Sequence, residues 1–198
     1  MTEQETLWLK QARQGNDNAF GCLVEAYQKP VFSLCYRMLG NGRDAEDAAQ
    51  ESFIRAYRFL NKYDPDRPFG TWLLSIASHY CIDRMRKRHL QTVSTDALPP
   101  EITPDRNAPN PEKVFRDEEK ELAIQRLLKD LKPTDRAAII LRYWHEYSEK
   151  EIAEALGLTV SAVKSRLYRS RQSLADAWIE HEKTSPIGER RPYESPAF

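Results

Sequence analysis

The sequence has little glycine, seven residues in 198, and almost no alternation of apolar and polar β-branched residues. That excludes a strand-rich fold built on tight hairpins. Cysteine is also scarce. Cys22, Cys35 and Cys81 are odd in number and have no short mutual spacing, so neither a disulfide framework nor a zinc site is expected. His79 and Cys81 are two positions apart, which on a helix sets them about 200° from each other, the wrong geometry for a shared metal. No metal or cofactor is expected. Nucleophile elbow, phosphate loop and clustered metal ligands are all missing, which argues against an enzyme. No run approaches the roughly 18 apolar residues of a membrane span. The acidic start Met1-Thr2-Glu3-Gln4-Glu5 does not resemble a signal peptide, so a cytoplasmic protein is expected.

An excess of one charge is likewise lacking: 30 basic residues balance 30 acidic ones. Net charge therefore offers no argument for nucleic-acid binding, and local charge has to be read instead. Arg84-Met85-Arg86-Lys87-Arg88 is a basic run, and residues 160–174 hold four basic residues and no acidic one. Residues 91–119 hold seven acidic and three basic residues.

What the chain does have is helical periodicity. Phe20, Leu23, Val24, Tyr27, Val31, Leu34, Cys35 and Met38 form one stripe. Ala45, Ala49, Phe53, Ala56, Tyr57 and Leu60 form a second, and Phe69, Trp72, Leu73, Ile76, Ala77 and Tyr80 a third. Three such stripes can bury against one another as a bundle. Pro30 inside the first stripe is expected to kink or split its helix. Gly40-Asn41-Gly42 reads as a turn. From about Gln91 to Pro111 five prolines interrupt any period, as in an extended linker. Helical spacing resumes with Ile124, Leu127, Leu128 and Leu131, then Ala137, Ile140, Leu141 and Trp144. Residues 183–198, with three prolines, read as a disordered tail.

The sharpest local pattern runs from Ser148 to Leu174. Ser148 followed by Glu151 is a capping box, Ile152, Ala153 and Leu156 give a short helix one apolar side, and Gly157 suits a left-handed stop. Thr159 can cap a second helix whose inner side carries Val163, Leu167 and Leu174. Helix, glycine turn, helix is the plan of a helix-turn-helix. Ser161, Ser165, Tyr168, Arg169 and Gln172 lie opposite the inner side, with Lys164 beside them, and offer donors for phosphates and base edges. Arg166 and Arg171 project nearer the flanks. Arg166 stands where many such motifs have an apolar residue.

The N-terminal half narrows this reading. Asp44-Ala45-Glu46-Asp47-Ala48-Ala49-Gln50-Glu51-Ser52-Phe53, Phe69-Gly70-Thr71-Trp72-Leu73, Ile76-Ala77 and Asp83-Arg84-Met85-Arg86-Lys87-Arg88, in order with the C-terminal motif, resemble an extracytoplasmic-function (ECF) sigma factor of the sigma-70 superfamily. The resemblance covers about residues 5–90 and 112–178. It implies an all-α fold: a region 2 bundle over 1–90, a linker over 91–111, a region 4 helix-turn-helix domain of four helices over 112–182, and the tail. It implies core RNA polymerase as partner through its β′ clamp helices and β flap, promoter DNA as ligand, and an anti-sigma protein as a further partner. Asp44, Asp47, Gln50, Glu51 and Arg55 would meet polymerase. Tyr63, Asp64, Arg67, Ser75, His79, Arg86, Lys87 and Arg88 would hold the −10 element, and Ser161, Lys164, Ser165, Arg166, Tyr168, Arg169 and Gln172 would read the −35 element. The acidic linker would thread the polymerase and mimic nucleic acid there. The alternative is a stand-alone helix-turn-helix regulator, dimeric and bound to a palindrome.

Overall fold

A computed structural model describes residues 2–92 and 121–184, and every regular element within them is helical. In chain order these are α1 (Glu3–Arg13), α2 (Asp17–Leu39), α3 (Gly42–Phe59), a 3-10 turn (Leu60–Lys62) and α4 (Phe69–Thr92). After the undescribed stretch come α5 (121–129), α6 (Pro133–Tyr143), α7 (Glu149–Leu156) and α8 (Val160–Thr184). The expected linker lies outside the described residues except for 91–92, which continue α4. The expected tail does too, except that α8 takes in Lys183 and Thr184.

The apolar stripes of α2, α3 and α4 face one another as their spacing predicts, with Leu23, Val31, Leu34, Met38, Ala45, Ala56, Phe69, Leu73 and Ala77 buried. α1 was not anticipated. Thr2 caps it by accepting from the Glu5 amide at 3.2 Å, and it buries only Leu9 and Ala12. That short stripe is too weak to stand out in the sequence. The Tyr27 hydroxyl donates to Glu5 at 2.6 Å and ties α1 to α2.

Pro30 does not split α2, which is one helix from Asp17 to Leu39. An interior proline costs about 3 kcal/mol. Downstream of it Val31, Leu34, Cys35 and Met38 are all fully buried, and each large apolar side chain contributes roughly 1.5–3 kcal/mol. Packing outweighs the lost hydrogen bond. The helix ends at Gly40, whose φ of 79° is the left-handed conformation that glycine adopts without a Cβ clash. Asn41 then caps α3 by accepting from the Asp44 amide at 2.8 Å.

The two halves of the chain are not separate bodies. α6 and α7 pack on α2 and α4, and a single buried apolar cluster runs through both halves. Arg136 of α6 is 4% exposed. Its Nη1 donates to the Met38 carbonyl and its Nε to the Leu128 carbonyl, each at 2.5 Å. Those carbonyls belong to the last turns of α2 and α5, where no intrahelical donor remains and the helix dipole is negative. One guanidinium thus caps two helices from different halves. Composition cannot signal this, because both partners are backbone atoms and Met38 lies 98 residues away in sequence.

Candidate nucleic-acid interface

The helix-turn-helix forms as its capping residues dictate. Ser148 Oγ accepts from the Glu151 amide at 3.2 Å, and the Glu151 carboxylate accepts from the Ser148 amide at 2.8 Å. The Ser148 hydroxyl, which donates to the Glu151 carboxylate at 2.6 Å, and then the Ser148 amide hold the Glu151 carboxyl below its usual range. Gly157 ends α7 with φ at 64°. Thr159 Oγ1 accepts from the Ala162 amide at 3.2 Å and starts α8. Val163, Leu167 and Ser170 face inward and are buried.

On the outer side of α8, Ser161, Lys164, Ser165, Tyr168, Arg169 and Gln172 are exposed. Arg169 Nε donates back to the Ser165 carbonyl at 3.3 Å, which aims the rest of its fork outward. Gln172 donates to the Tyr168 hydroxyl at 3.0 Å. Lys164 lies 3.7 Å from Glu149 of α7, on an exposed pair. Arg166 is different. Its side chain is 29% exposed and its Nη1 donates to Asp135 of α6 at 2.5 Å. It is drawn inward as a brace between α6 and α8, which explains how a cation occupies a position that is often apolar.

The basic end of α4 is organised by Asp44. Arg84 pairs with the Asp44 carboxylate, Arg88 reaches it at 2.9 Å, and Asn41 donates to it at 2.5 Å. The Asp44 side chain is 15% exposed, so it faces α4 rather than solvent, unlike the docking role expected of it. Burial opposes its ionisation, but Asn41, Arg84 and Arg88 outweigh that and lower its pKa from the usual 3.8. A depressed carboxyl contributes stability above its unfolded pKa and loses it as pH falls through the folded one. Asp44→Asn is therefore expected to cost about 2 kcal/mol at pH 7. The deficit should shrink toward zero in urea melts carried below pH 3.8.

The remaining expected −10 residues divide. Ser75 is half-buried, and His79, Arg86, Lys87 and Arg88 are exposed along α4. His79 Nδ1 lies 2.8 Å from the Ser75 carbonyl, which can only accept, so Nδ1 is the donor in that contact. Asp64 and Arg67 pair at 3.6 Å on the loop before α4 and are both exposed. Tyr63, in contrast, is 2% exposed. Its ring packs on Phe69 and Trp72 at centroid distances of 5.6 and 5.1 Å, and its hydroxyl donates to the Arg67 carbonyl. Tyr63 thus sets the shape of the loop from inside the bundle, whereas the expected −10 role calls for an exposed side chain. At the start of α4, a Cβ on Gly70 would come within 2.9 Å of the Tyr27 ring, so the close approach of α2 and α4 requires glycine there.

On α3, Asp47 and Gln50 are exposed, and Glu51 and Arg55 are half-buried and paired at 2.8 Å. Beside them runs an open groove of about 900 Å³ between α2 and α3, lined in part by Phe20, Phe53, Ile54 and Tyr57. Tyr57 was expected in the bundle core, but it is 45% exposed and donates to Asp17 at 2.5 Å. Ile54, absent from the expected set, is also exposed on this face. Its spacing of four from Gln50 and three from Glu51 places it there. No three His, Cys, Asp or Glu side chains converge on a metal-sized site among the described residues, and none of the described helices is long and apolar enough to cross a membrane.

A bundle with a basic helix end, joined to a helix-turn-helix with a donor-rich outer face, defines a DNA-reading protein in two parts. Sigma-70 region 2 matches residues 23–90, and Sigma-70, region 4 matches residues 121–174. The chain is 37% identical over 172 residues to the ECF RNA polymerase sigma factor SigW of Bacillus subtilis, covering 84% of this chain and 92% of that one. It is 34% identical over 184 residues to the ECF RNA polymerase sigma-E factor of Escherichia coli K12, covering 88% and 95%. The solved structure of CnrH in complex with the cytosolic domain of CnrY superposes with a TM-score of 0.64 at 26% identity, over 90% of this chain and 99% of that one. The Bartonella quintana sigma factor RpoE, solved with the anti-sigma factor NepR, shares the fold at a TM-score of 0.62 and 21% identity, over 81% and 96%. The chain belongs to the ECF sigma factors of the sigma-70 family and is an alternative sigma factor that directs RNA polymerase to promoters.

Proposed function

We propose that the N-terminal bundle seats on polymerase through the outer strip of α3 (Asp47, Gln50, Glu51, Arg55, with Ile54 at its centre). The exposed side of α4 and the loop before it then hold the opened −10 strand with Ser75, His79, Arg86, Lys87, Arg88, Asp64 and Arg67. α8 reads the −35 duplex with Ser161, Lys164, Ser165, Tyr168, Arg169 and Gln172, while Asp44, Tyr63 and Arg166 position these surfaces from behind. The observation that carries this reading is the α8 outer face: six donor-bearing side chains exposed together on a capped second helix.

The chain works by binding and performs no covalent chemistry itself. Its place is the cytoplasm, on the nucleoid. A third partner in this reading is an anti-sigma protein, of the kind the Bartonella quintana structure contains. Run-off transcription with core polymerase on a library of genomic fragments tests the assignment. Transcripts should start downstream of a shared pair of elements, and starts independent of any such pair would refute it.

A further inference from the structure

α1 takes no part in the polymerase strip, in the exposed side of α4 or in α8. It is also a poor source of stability. Of its 11 residues it buries only Leu9 and Ala12, with Trp8 half-buried beside them, while Leu7 is 46% exposed. Its polar contacts point toward the loop between Tyr63 and Phe69.

That loop holds little of its own shape. Asp64, Pro65, Asp66, Arg67 and Pro68 are all exposed. Within it the Asp66 amide donates to the Asp64 carboxylate and the Arg67 amide to the Asp64 carbonyl, both at 3.1 Å. A loop so exposed is fixed by its ends, and both ends are buried aromatic rings. Tyr63 and Phe69 meet at a centroid distance of 5.6 Å, and Trp72 packs on each of them. Whatever holds these two rings sets where Asp64 and Arg67 stand.

α1 reaches both rings. By one route, Glu5 accepts from the Tyr27 hydroxyl at 2.6 Å, and the Tyr27 ring meets Phe69 edge-on at 5.4 Å. The backbone of Gly70 closes on the same tyrosine, where a Cβ would come within 2.9 Å of Cε1 and 3.3 Å of the hydroxyl. Tyr27 is thus gripped by α1 at its tip and by α4 along its edge, and a shift of its ring would displace Phe69. By the other route, α1 packs on the 3-10 turn Leu60–Lys62 that leads into Tyr63. Burial, then Glu5 and Asp64, push the Tyr63 hydroxyl above its usual 10, against the pull of Arg13, so two charges of α1 bear on this ring. A close-packed cluster passes a displacement on, because it has no slack to absorb one.

Taking the 63–69 loop as part of the −10 holder, we propose that α1 is the buttress of that loop, and that Glu5 and Tyr27 are positioning residues for the choice of −10 sequence although neither touches DNA. A hydroxyl that donates to a carboxylate makes one of the stronger hydrogen bonds, and the ring cluster turns that tie into a fixed loop. Without the tie the loop samples several placements and accepts more bases. Selectivity at −10 then falls, while the α3 strip and the α8 face stay as they are.

The test compares Glu5→Ala with Glu5→Gln in the full chain. Both lose the charge at the start of α1, but glutamine keeps an oxygen that accepts from Tyr27. Run-off transcription with core polymerase is read on templates that differ in one −10 base or in one −35 base. Glu5→Ala should lower the ratio between the preferred and the substituted −10 template about fivefold, the weight of one hydrogen bond, with the −35 ratio and the affinity for core polymerase unchanged. Glu5→Gln should restore most of that ratio. Tyr27→Phe keeps the ring against Phe69 without the tie and should match Glu5→Ala; it decides the matter if Glu5→Ala loses helix content by circular dichroism. Hydrogen exchange of the Tyr63 and Arg67 amides, which donate to the Leu60 and Asp64 carbonyls, gives a reading in the free chain that needs no promoter. Glu5→Ala should speed it about fivefold and leave α8 unchanged. An equal fall on every template overturns the buttress, and so does identical behaviour of the alanine and glutamine variants. Faster exchange in the loop with an unchanged −10 ratio supports the buttress and refutes the −10 reading of the loop instead.

Discussion

Replacing Arg169 by alanine should lower transcription from promoters with an intact −35 element by tenfold or more, and leave promoters with a scrambled −35 element nearly unchanged. Arg169 is exposed on the outer side of α8, its Nε is anchored on the Ser165 carbonyl, and no carboxylate competes for its terminal nitrogens among the described residues. Such a fork can grip a guanine edge at two points, and one such pair contributes about 1–3 kcal/mol of discrimination. Arg166, three positions earlier, should behave in the opposite way. It braces Asp135, so Arg166→Ala should lower the unfolding midpoint and weaken all promoters alike. If Arg169→Ala instead weakened every promoter equally and reduced the salt dependence by about one counterion, Arg169 would be a phosphate contact.

Reversing charge at Glu51 should cost tenfold or more in affinity for core polymerase while leaving the fold intact. Among the described residues Glu51 pairs with Arg55, at 2.8 Å with side chains 33% and 41% exposed. A surface pair of that kind contributes little to stability, on the order of 0–1 kcal/mol. The same residue lies on the rim of a strip whose centre is the exposed Ile54. An apolar centre ringed by polar groups is where binding energy concentrates in protein interfaces, and a lysine in the ring would repel a basic partner surface and take from Arg55 its carboxylate, leaving it the Tyr80 ring at 4.8 Å. Thermal melting of Glu51→Lys alongside a polymerase-binding titration separates the two effects. A large loss of stability with unchanged affinity would move the docking surface elsewhere.

The sequence shows the short-range determinants well. The Ser148 capping box, the Gly157 stop, the Thr159 cap and the stripes of α2, α3 and α4 are all local, and local geometry reproduces them. The exposed outer face of α8 follows from the same helical periodicity. What stays hidden is long-range. Asp44 sits in an acidic helix start that looks free, yet it is claimed by Arg84 and Arg88 about forty residues away. Tyr63 sits in a polar loop that looks exposed, yet its ring finds Phe69 and Trp72. Arg136, which the sequence does not single out, is a buried double cap. In each case the partner lies on another element, and neither propensity nor period records it.

Promoter recognition is expected only of the chain mounted on polymerase, since a chain with 30 basic and 30 acidic residues releases few counterions when it meets DNA alone. Fluorescence anisotropy of a labelled promoter duplex, titrated with the chain in the presence and absence of core polymerase, measures this most directly. Weak, sequence-indifferent binding by the free chain and tight, sequence-dependent binding with core polymerase is the predicted result. Tight binding of a palindromic site by the chain alone would contradict it.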